Sequence, residues 1–206
     1  VRWPVDYDGA WTLAGTVRRS GIGLHSGQPV SVTLKPSVDP GVWVHWSSDD
    51  AAPVRLRPSQ VRDSQLCTTL DLGPRRLATV EHLLAAVAGC GLTHALLEVE
   101  GGEIPLLDGS ALGWVEAIAE ADLVEVPGWR PQRPMLEQPL ALHRGSSVIT
   151  ATPAEQFSVV GVIDFPQPAI GRQQFALELT PQRFVDEIAP ARTFGFREQV
   201  EQLRAA

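Results

Sequence analysis

Cysteine is scarce in this chain of 206 residues: only Cys67 and Cys90 occur, without the CxxC spacing of a zinc ribbon or a redox pair. A reducing compartment is therefore the default expectation. The sequence also lacks a run of about 18 apolar residues and a basic, then apolar, then small-residue leader. We therefore expect a cytoplasmic protein without an integral membrane segment.

Positive charge is also limited, with 17 Lys and Arg against 24 Asp and Glu, a formal net charge of -7. Proteins that wrap a polyanion draw their affinity from Lys and Arg on phosphate, so a nucleic-acid partner is not expected. Apolar residues make up 44% of the chain, which is enough to build real cores. The length suits two domains of about 100 residues each.

The first part of the chain alternates strand patterns with glycine-rich turns. The segments WTLAGTVRR, PVSVTLKP, GVWVHW, residues 66–72 and HALLEVEG read as strands, and GIGLHSGQ reads as a loop between the first two. Thr79 and Ser110 are in position to cap two helices, one containing EHLLAAVAG and one containing ALGWVEAIAEADL.

A domain boundary is predicted at GWRPQRP, residues 128–134, where two prolines occur within seven residues. Beyond it the segments QPLALHRG, SSVITATPA, FSVVGVIDF and QQFALELT read as strands, and PQRFVDEIAPARTF and FREQVEQLRAA read as helical. Strands followed by helices in each half predict an α+β fold rather than a doubly wound parallel sheet. We expect two sandwich domains of similar architecture, each layering β-sheet on α-helix, at residues 1–127 and 128–206, the second incomplete.

Glu81 and His82 adjoin at the start of the first predicted helix. Neighbouring helical side chains point about 100° apart, so the two do not pair with each other, although both could reach one cleft. The HExxH motif of zinc peptidases is absent, because Ala86 stands four residues after His82. These residues alone leave open a capping or surface role and a metal site whose other ligands come from distant segments.

A more specific signal comes from six stretches taken together: GIGLHSG with VSVTLKP, VRDSQLCTTL, TVEHLLAAVAG, EIPLLDGSA, VIDFPQPAI and ARTFGFREQVEQLR. In order and spacing they closely resemble the UDP-3-O-acyl-N-acetylglucosamine deacetylases, bacterial zinc amidases of lipid A biosynthesis. The resemblance runs from about Trp11 to the last residue. It implies a zinc-dependent hydrolase that releases acetate from UDP-3-O-acyl-N-acetylglucosamine in a bacterium with a lipopolysaccharide outer membrane.

The resemblance also implies roles for individual residues. Glu81 would be the general base and His82 a zinc ligand, which suits the hydrolysis of an unreactive acetamide because a metal activates water and a base receives its proton. His25 and Asp108 are further candidates that would support the site, although a glycine-rich turn and an Asx turn explain them without chemistry. The implied substrate-binding residues are Leu66 and Cys67 at the entrance to the acyl-chain passage, Asp164 and Phe165 towards the UDP end, and Thr193 and Phe194 beside the metal.

The sequence departs from the family in two places. The family completes its zinc site with a His and an Asp from a later His-Lys-x-x-Asp-x-x-Gly-Asp segment, which does not occur here. After TFGF, Gln199 stands where the usual Met-Arg-Asp places its Asp. A second hypothesis is therefore a non-catalytic remnant that binds a nucleotide sugar or an acyl chain, or acts as an interaction module. No feature of the sequence indicates the oligomeric state.

Overall fold

A computed structural model describes residues 1–63, 66–132 and 135–196 of the chain. The chain divides into two compact units, one formed by Val1–Arg130 with the described residues from Pro181 onward, the other by the described residues of 131–180. The first division falls inside the predicted boundary segment, residues 128–134. The segment after Pro181 returns to the first unit, and the domains 1–127 and 128–206 stay a prediction.

The first unit holds most of the regular structure. Its two longer helices are α1 (Glu81–Gly89) and α2 (Leu112–Ala121), and a single 3₁₀ turn covers Pro58–Gln60. Its described strands are β1 (Trp11–Leu13), β2 (Val17–Ile22), β3 (Pro29–Lys35), β4 (Gly41–Trp46), β5 (Val54–Arg55), β6 (Val61–Asp63), β7 (Thr69–Asp71), β8 (Arg76–Leu77), β9 (His94–Glu100) and β10 (Leu123–Glu125).

The main sheet of this unit has the strand order β2-β3-β9-β4-β5. Strand β4 runs parallel to β9, and the other pairs are antiparallel. Strands β3 and β9 place apolar residues at alternate positions, so that Val32 lies opposite Val99 and Leu34 opposite Leu97. All four side chains are buried, as expected for a sheet with one face on the core. Two smaller sheets join β1 to β10 and β6 to β7 and β8.

The two helices supply the other layer of the core. Helix α1 packs against α2, and α2 contacts β2. Their inward faces bury Leu83 and Val87 in α1 and Trp114 and Ile118 in α2, in each case four residues apart on one helix face. The α+β class predicted from the sequence is confirmed. None of the helices in the described ranges is long and apolar enough to cross a membrane.

Two local expectations from the sequence are wrong. The segment WTLAGTVRR forms two strands that belong to different sheets, with Gly15 in the turn between them. Thr79 does not cap α1, because its φ of 59° is left-handed and its hydroxyl donates instead to Glu103. Ser110 does act near the start of α2, where its Oγ accepts a hydrogen bond from the Leu112 N–H at 3.0 Å.

In its described residues, the second unit contains two antiparallel hairpins. The first joins β11 (Leu140–Arg144) to β12 (Ser147–Ala151), and the second joins β13 (Ser158–Asp164) to β14 (Arg172–Glu178). The four strand patterns predicted in this part of the sequence are therefore present. The predicted helical segment PQRFVDEIAPARTF begins with a helical turn at Pro181–Arg183 and a π-helical turn at Phe184–Ile188, both in the first unit. The second predicted helical segment, residues 196–206, lies almost wholly outside the described residues.

The C-terminal end of α1 is held by two aromatic residues. The Tyr7 hydroxyl donates to the carbonyl of Gly89 at 3.0 Å. The ring of Phe184 lies against Gly89 so closely that an added Cβ would be 2.4 Å from two of the ring carbons. Phe184 is itself buried. Glycine is therefore required in the last turn of α1 for packing, although it is a poor helix former.

We predict that Gly89→Ala destabilises the protein. Overpacking costs about 1–3 kcal/mol, which exceeds the gain of up to about 1 kcal/mol expected from the better helix former. Urea unfolding should show a lower free energy of unfolding, and Gly89→Ala with Phe184→Leu should recover part of the loss. Gly161→Ala is the control, because nothing lies within 4 Å of the position of its Cβ. Equal stability of Gly89→Ala and the parent would contradict the packing argument.

Candidate active site

The carboxylate of Glu81 is held by the backbone of a neighbouring loop. Both Glu81 and His82 are half-buried in the first turn of α1. The Thr68 N–H donates to Glu81 Oε2 at 2.9 Å, and the Val80 N–H donates to the Thr68 carbonyl at 3.4 Å. The helix start and the loop before β7 therefore form one bonded unit that fixes the direction of the Glu81 side chain.

Two predicted substrate contacts lie in that same loop. Leu66 and Cys67 precede Thr68, which brings them close in the chain to the group that anchors Glu81. Leu66 has a φ of 68° and its side chain is 59% exposed. Cys67 is half-buried, with its Sγ 3.8 Å from the Thr69 Oγ1. A left-handed, exposed leucine is unusual, and such backbone strain is often found at functional sites.

A buried carboxylate that the sequence analysis did not identify lies behind this site. Glu103 is 2% exposed. Its Oε1 accepts hydrogen bonds from the His25 N–H at 3.1 Å and the Thr79 hydroxyl at 2.9 Å, and its Oε2 accepts one from the Ser26 N–H at 2.9 Å. Glu103 therefore links the GIGLHSG loop to the residue that lies two positions before Glu81.

These hydrogen-bond donors determine the direction in which the pKa of Glu103 shifts. Burial by itself would raise the pKa of this carboxyl, but the hydrogen bonds from His25, Ser26 and Thr79 outweigh it and the pKa lies below its ordinary value. The close approach needs glycine at position 23, where an added Cβ would collide with Ser26 Oγ and with Glu103 Oε2. One glycine of the loop motif is thus explained by the carboxylate beneath it.

The structure gives the two supporting candidates structural partners. The His25 side chain is exposed, and its backbone N–H is the group that reaches Glu103. Asp108 Oδ1 accepts from both the N–H and the hydroxyl of Ser110, at 3.0 and 2.7 Å. These bonds and the nearby charge of Arg192 hold the pKa of Asp108 below its usual value. The Asx-turn alternative for Asp108 is thus observed in the geometry.

Thr193 lies beside the same loop. Its N–H donates to the Gly109 carbonyl at 2.8 Å, and its methyl group is 3.8 Å from where a Cβ of Gly109 would be. The neighbouring Phe194 is 53% exposed and makes an edge contact with Phe196 at 5.9 Å between ring centroids. The predicted site residues Asp108 and Thr193 are therefore adjacent in the fold.

The last two predicted substrate contacts lie in the second unit. Asp164 ends β13, exposed and 3.9 Å from the guanidinium of Arg172 across the hairpin. Phe165 follows it, half-buried, with its N–H donating to the Gly171 carbonyl. Gln199, where the sequence departs from the family pattern, lies outside the described residues.

Of the donor groups at the start of α1, His82 is the candidate metal ligand. His82 suits zinc as a half-buried imidazole, and no hydrogen bond within the described part of the chain uses its ring. Among residues 1–63, 66–132 and 135–196, however, no three His, Cys, Asp or Glu side chains are grouped so as to hold a metal ion. A catalytic zinc usually takes three protein ligands, so the described residues alone do not form a complete zinc site.

The fold and the site together define a class: an α+β protein whose adjacent Glu and His, at the start of a helix, suit general-base and metal-binding chemistry. The family profile of UDP-3-O-acyl N-acetylglycosamine deacetylase matches residues 10–206. The chain belongs to this family, which confirms the resemblance noted in the sequence.

Curated relatives carry the same family name. The UDP-3-O-acyl-N-acetylglucosamine deacetylase of Thermosynechococcus vestitus is 41% identical over 196 residues, covering 94% of this chain and 68% of the relative. The namesake proteins of Oleidesulfovibrio alaskensis and Anaeromyxobacter sp. are 38% and 39% identical, covering 94% and 95% of this chain and 64% of each relative. The chain thus spans about two thirds of the length of these relatives.

We predict that the stability conferred by Glu103 depends on pH. A carboxyl whose folded pKa is depressed stabilises the protein fully above its unfolded pKa, and the contribution is lost as the pH falls through the folded pKa. Glu103→Gln should therefore cost about 1–3 kcal/mol of unfolding free energy at neutral pH, because buried donors lose their acceptors. The difference from the parent should narrow in acid.

Urea unfolding measured over a series of pH values tests this. The matched control is Glu116→Gln, which changes an exposed glutamate of α2 and should shift stability little at any pH. A gap between parent and Glu103→Gln that stays constant into acid would show that the charge of Glu103 is not what stabilises the loop.

Proposed function

We propose that this chain is the part of a UDP-3-O-acyl-N-acetylglucosamine deacetylase that carries the general base. The reaction is hydrolysis of the N-acetyl group of the substrate, which gives acetate and a free amine and commits the sugar to lipid A biosynthesis. The observation that carries the proposal is the geometry of Glu81, whose carboxylate is anchored by the Thr68 N–H within a chain of this family.

The single hydrogen bond that anchors the Glu81 carboxylate is suited to a general base. The hydrogen bond from Thr68 uses Oε2, and within the described residues no hydrogen bond is made to Oε1. A carboxylate held by one oxygen keeps its orientation and presents the other to a water molecule, which a general base must reach at hydrogen-bond distance. Glu81 would therefore remove a proton from the water that attacks the acetamide and later deliver one to the departing amine.

Zinc is the proposed cofactor, with His82 as one of its ligands. When bound, zinc activates water near neutral pH and polarises the carbonyl of the amide. His82 follows Glu81 directly and points about 100° away around the helix, so its ring can bind the metal without displacing the Thr68 contact. The proposal requires further ligands, because the grouped donors needed for a complete site are not found among the described residues.

The remaining candidates are proposed as substrate contacts. Leu66 and Cys67 would face the acyl chain, since their loop holds Glu81. Thr193 and Phe194 would lie against the reacting part of the substrate, and support comes from the bond between Thr193 and the Gly109 carbonyl. Asp164 and Phe165 would approach the UDP end, and His25 and Asp108 would hold their loops in shape. The substrate is a UDP sugar, and we propose the cytoplasm as the site of action, in line with the two free cysteines.

We predict that Glu81→Gln abolishes deacetylation while leaving metal binding in place. General-base catalysis contributes about 100- to 10,000-fold, so kcat should fall by at least about 100-fold with little change in KM. Acetate release from UDP-3-O-acyl-N-acetylglucosamine measures the activity, and elemental analysis after dialysis measures the bound zinc. Both are measured in a parent protein that carries this chain together with the further zinc ligands. His82→Ala should instead lose zinc and activity together.

Glu116→Gln serves as the matched control, because it makes the same change at an exposed position of α2 and should keep full activity. Full activity of Glu81→Gln would remove Glu81 from the mechanism. Absence of acetate release from the parent protein, with tight binding of the UDP sugar, would favour the non-catalytic binding module instead.

A further inference from the structure

We propose that Glu103 is a positioning residue for the Glu81–His82 pair: its buried carboxylate holds the turn before α1 and the GIGLHSG loop in one fixed arrangement. The inference rests on the proposed function for its catalytic meaning. The structural part of the inference is that Glu103 holds the backbone that anchors the Glu81 carboxylate. This part can be tested without an activity assay.

Glu103 accepts hydrogen bonds from three donors in two segments of the chain. Both carboxylate oxygens are used, Oε1 by the His25 N–H and the Thr79 hydroxyl, and Oε2 by the Ser26 N–H. The side chain is 2% exposed, so water cannot replace these acceptors if they are lost. The carboxylate is thus the shared centre of two chain segments that are more than fifty residues apart in the sequence.

The contact with Thr79 transmits this arrangement to the site. Thr79 has a φ of 59°, a left-handed conformation that a β-branched residue avoids unless other interactions fix it. Its hydroxyl bond to Glu103 supplies such an interaction. The backbone just before Thr79 is also fixed, since the Ala78 N–H donates to the Gly102 carbonyl and the Ile104 N–H to the Ala78 carbonyl, each at 3.0 Å.

A small movement at Thr79 would therefore reach Glu81. Val80 and Glu81 follow it directly, and both are bonded to Thr68. If Thr79 relaxed to an ordinary conformation, the first turn of α1 would rotate relative to the loop that carries Thr68. A displacement of about 1 Å in a catalytic group is enough to cost about 100-fold in rate.

Substitution of Glu103 by Gln isolates this effect, because the side chain keeps its size. An amide offers one acceptor oxygen and places an NH₂ group where the other oxygen accepted, so one N–H or O–H donor meets a second donor. We expect kcat for deacetylation to fall about 10- to 100-fold, with KM changed less than about threefold.

The control for charge is Glu100→Gln, which removes an exposed carboxylate at the end of β9, three residues before Glu103, where it pairs with Arg18. This variant should retain parental kinetics. A second pair tests the route through Thr79: Thr79→Val removes the hydroxyl and should lower kcat, whereas Thr79→Ser keeps it and should preserve most of the rate. If the two residues act through one bond, Glu103→Gln with Thr79→Val should cost no more than the larger single effect.

Amide hydrogen exchange supplies the readout that does not need activity. In Glu103→Gln, exchange of the Thr68, His25 and Ser26 amides should accelerate at least about tenfold more than exchange of the Leu97 amide in the core sheet, which reports the global loss of stability. Faster exchange of Leu97 to the same extent would indicate general destabilisation, and unchanged exchange at Thr68 would show that Glu103 does not position Glu81. Either result overturns the inference.

The two proposals fail in different ways. If the parent protein releases no acetate, the proposed function fails, and the Thr68 exchange alone decides whether Glu103 fixes the Glu81 turn. If the parent is active and Glu103→Gln retains its kcat within about twofold, the positioning role fails while the proposed function stands.

Discussion

The burial of one charged side chain constrains much of the first unit. A carboxylate removed from water is costly unless hydrogen bonds replace its hydration, and Glu103 obtains these bonds from His25, Ser26 and Thr79. The loop after β2 must therefore reach Glu103, which lies three residues beyond β9, and Gly23 must lack a side chain to permit it. Loop shape, glycine placement and the strained turn before α1 all follow from this one requirement.

Helix α1 is consequently fixed at both ends by different means. At its start, the Glu103–Thr79 bond and the Thr68 contacts are polar and directional. At its end, Phe184 packs on Gly89 and leaves no room for a side chain. A nine-residue helix has little stability of its own, so these tertiary contacts determine where its first turn lies. The first turn carries both residues of the Glu–His pair, so its position fixes their direction.

Much of the fold could be predicted from the sequence because period-two patterns report on sheets with one buried face. The four strands of the second unit and the strand HALLEVEG are predicted in this way. The division of WTLAGTVRR between two sheets was missed, since pairing partners such as β10 are over a hundred residues distant. The prediction that Thr79 caps α1 is wrong for a related reason. Its hydroxyl donates a hydrogen bond to Glu103, a contact that cannot be predicted from the local sequence.

The candidate site shows the same division between local and long-range information. Glu81 and His82 stand together in a motif, so resemblance to a family identifies them directly. Glu103 lies in a glycine-rich loop, where a charged residue usually faces solvent. Its structural role becomes evident from its burial in the fold. A signal was nevertheless present, because the glutamate is followed by the apolar run IPLL, which draws the chain inward. An acidic residue drawn inward beside a glycine-rich loop must find backbone donors there, so the backbone of a motif such as GIGLHSG can be shaped to bind a carboxylate that the motif does not contain.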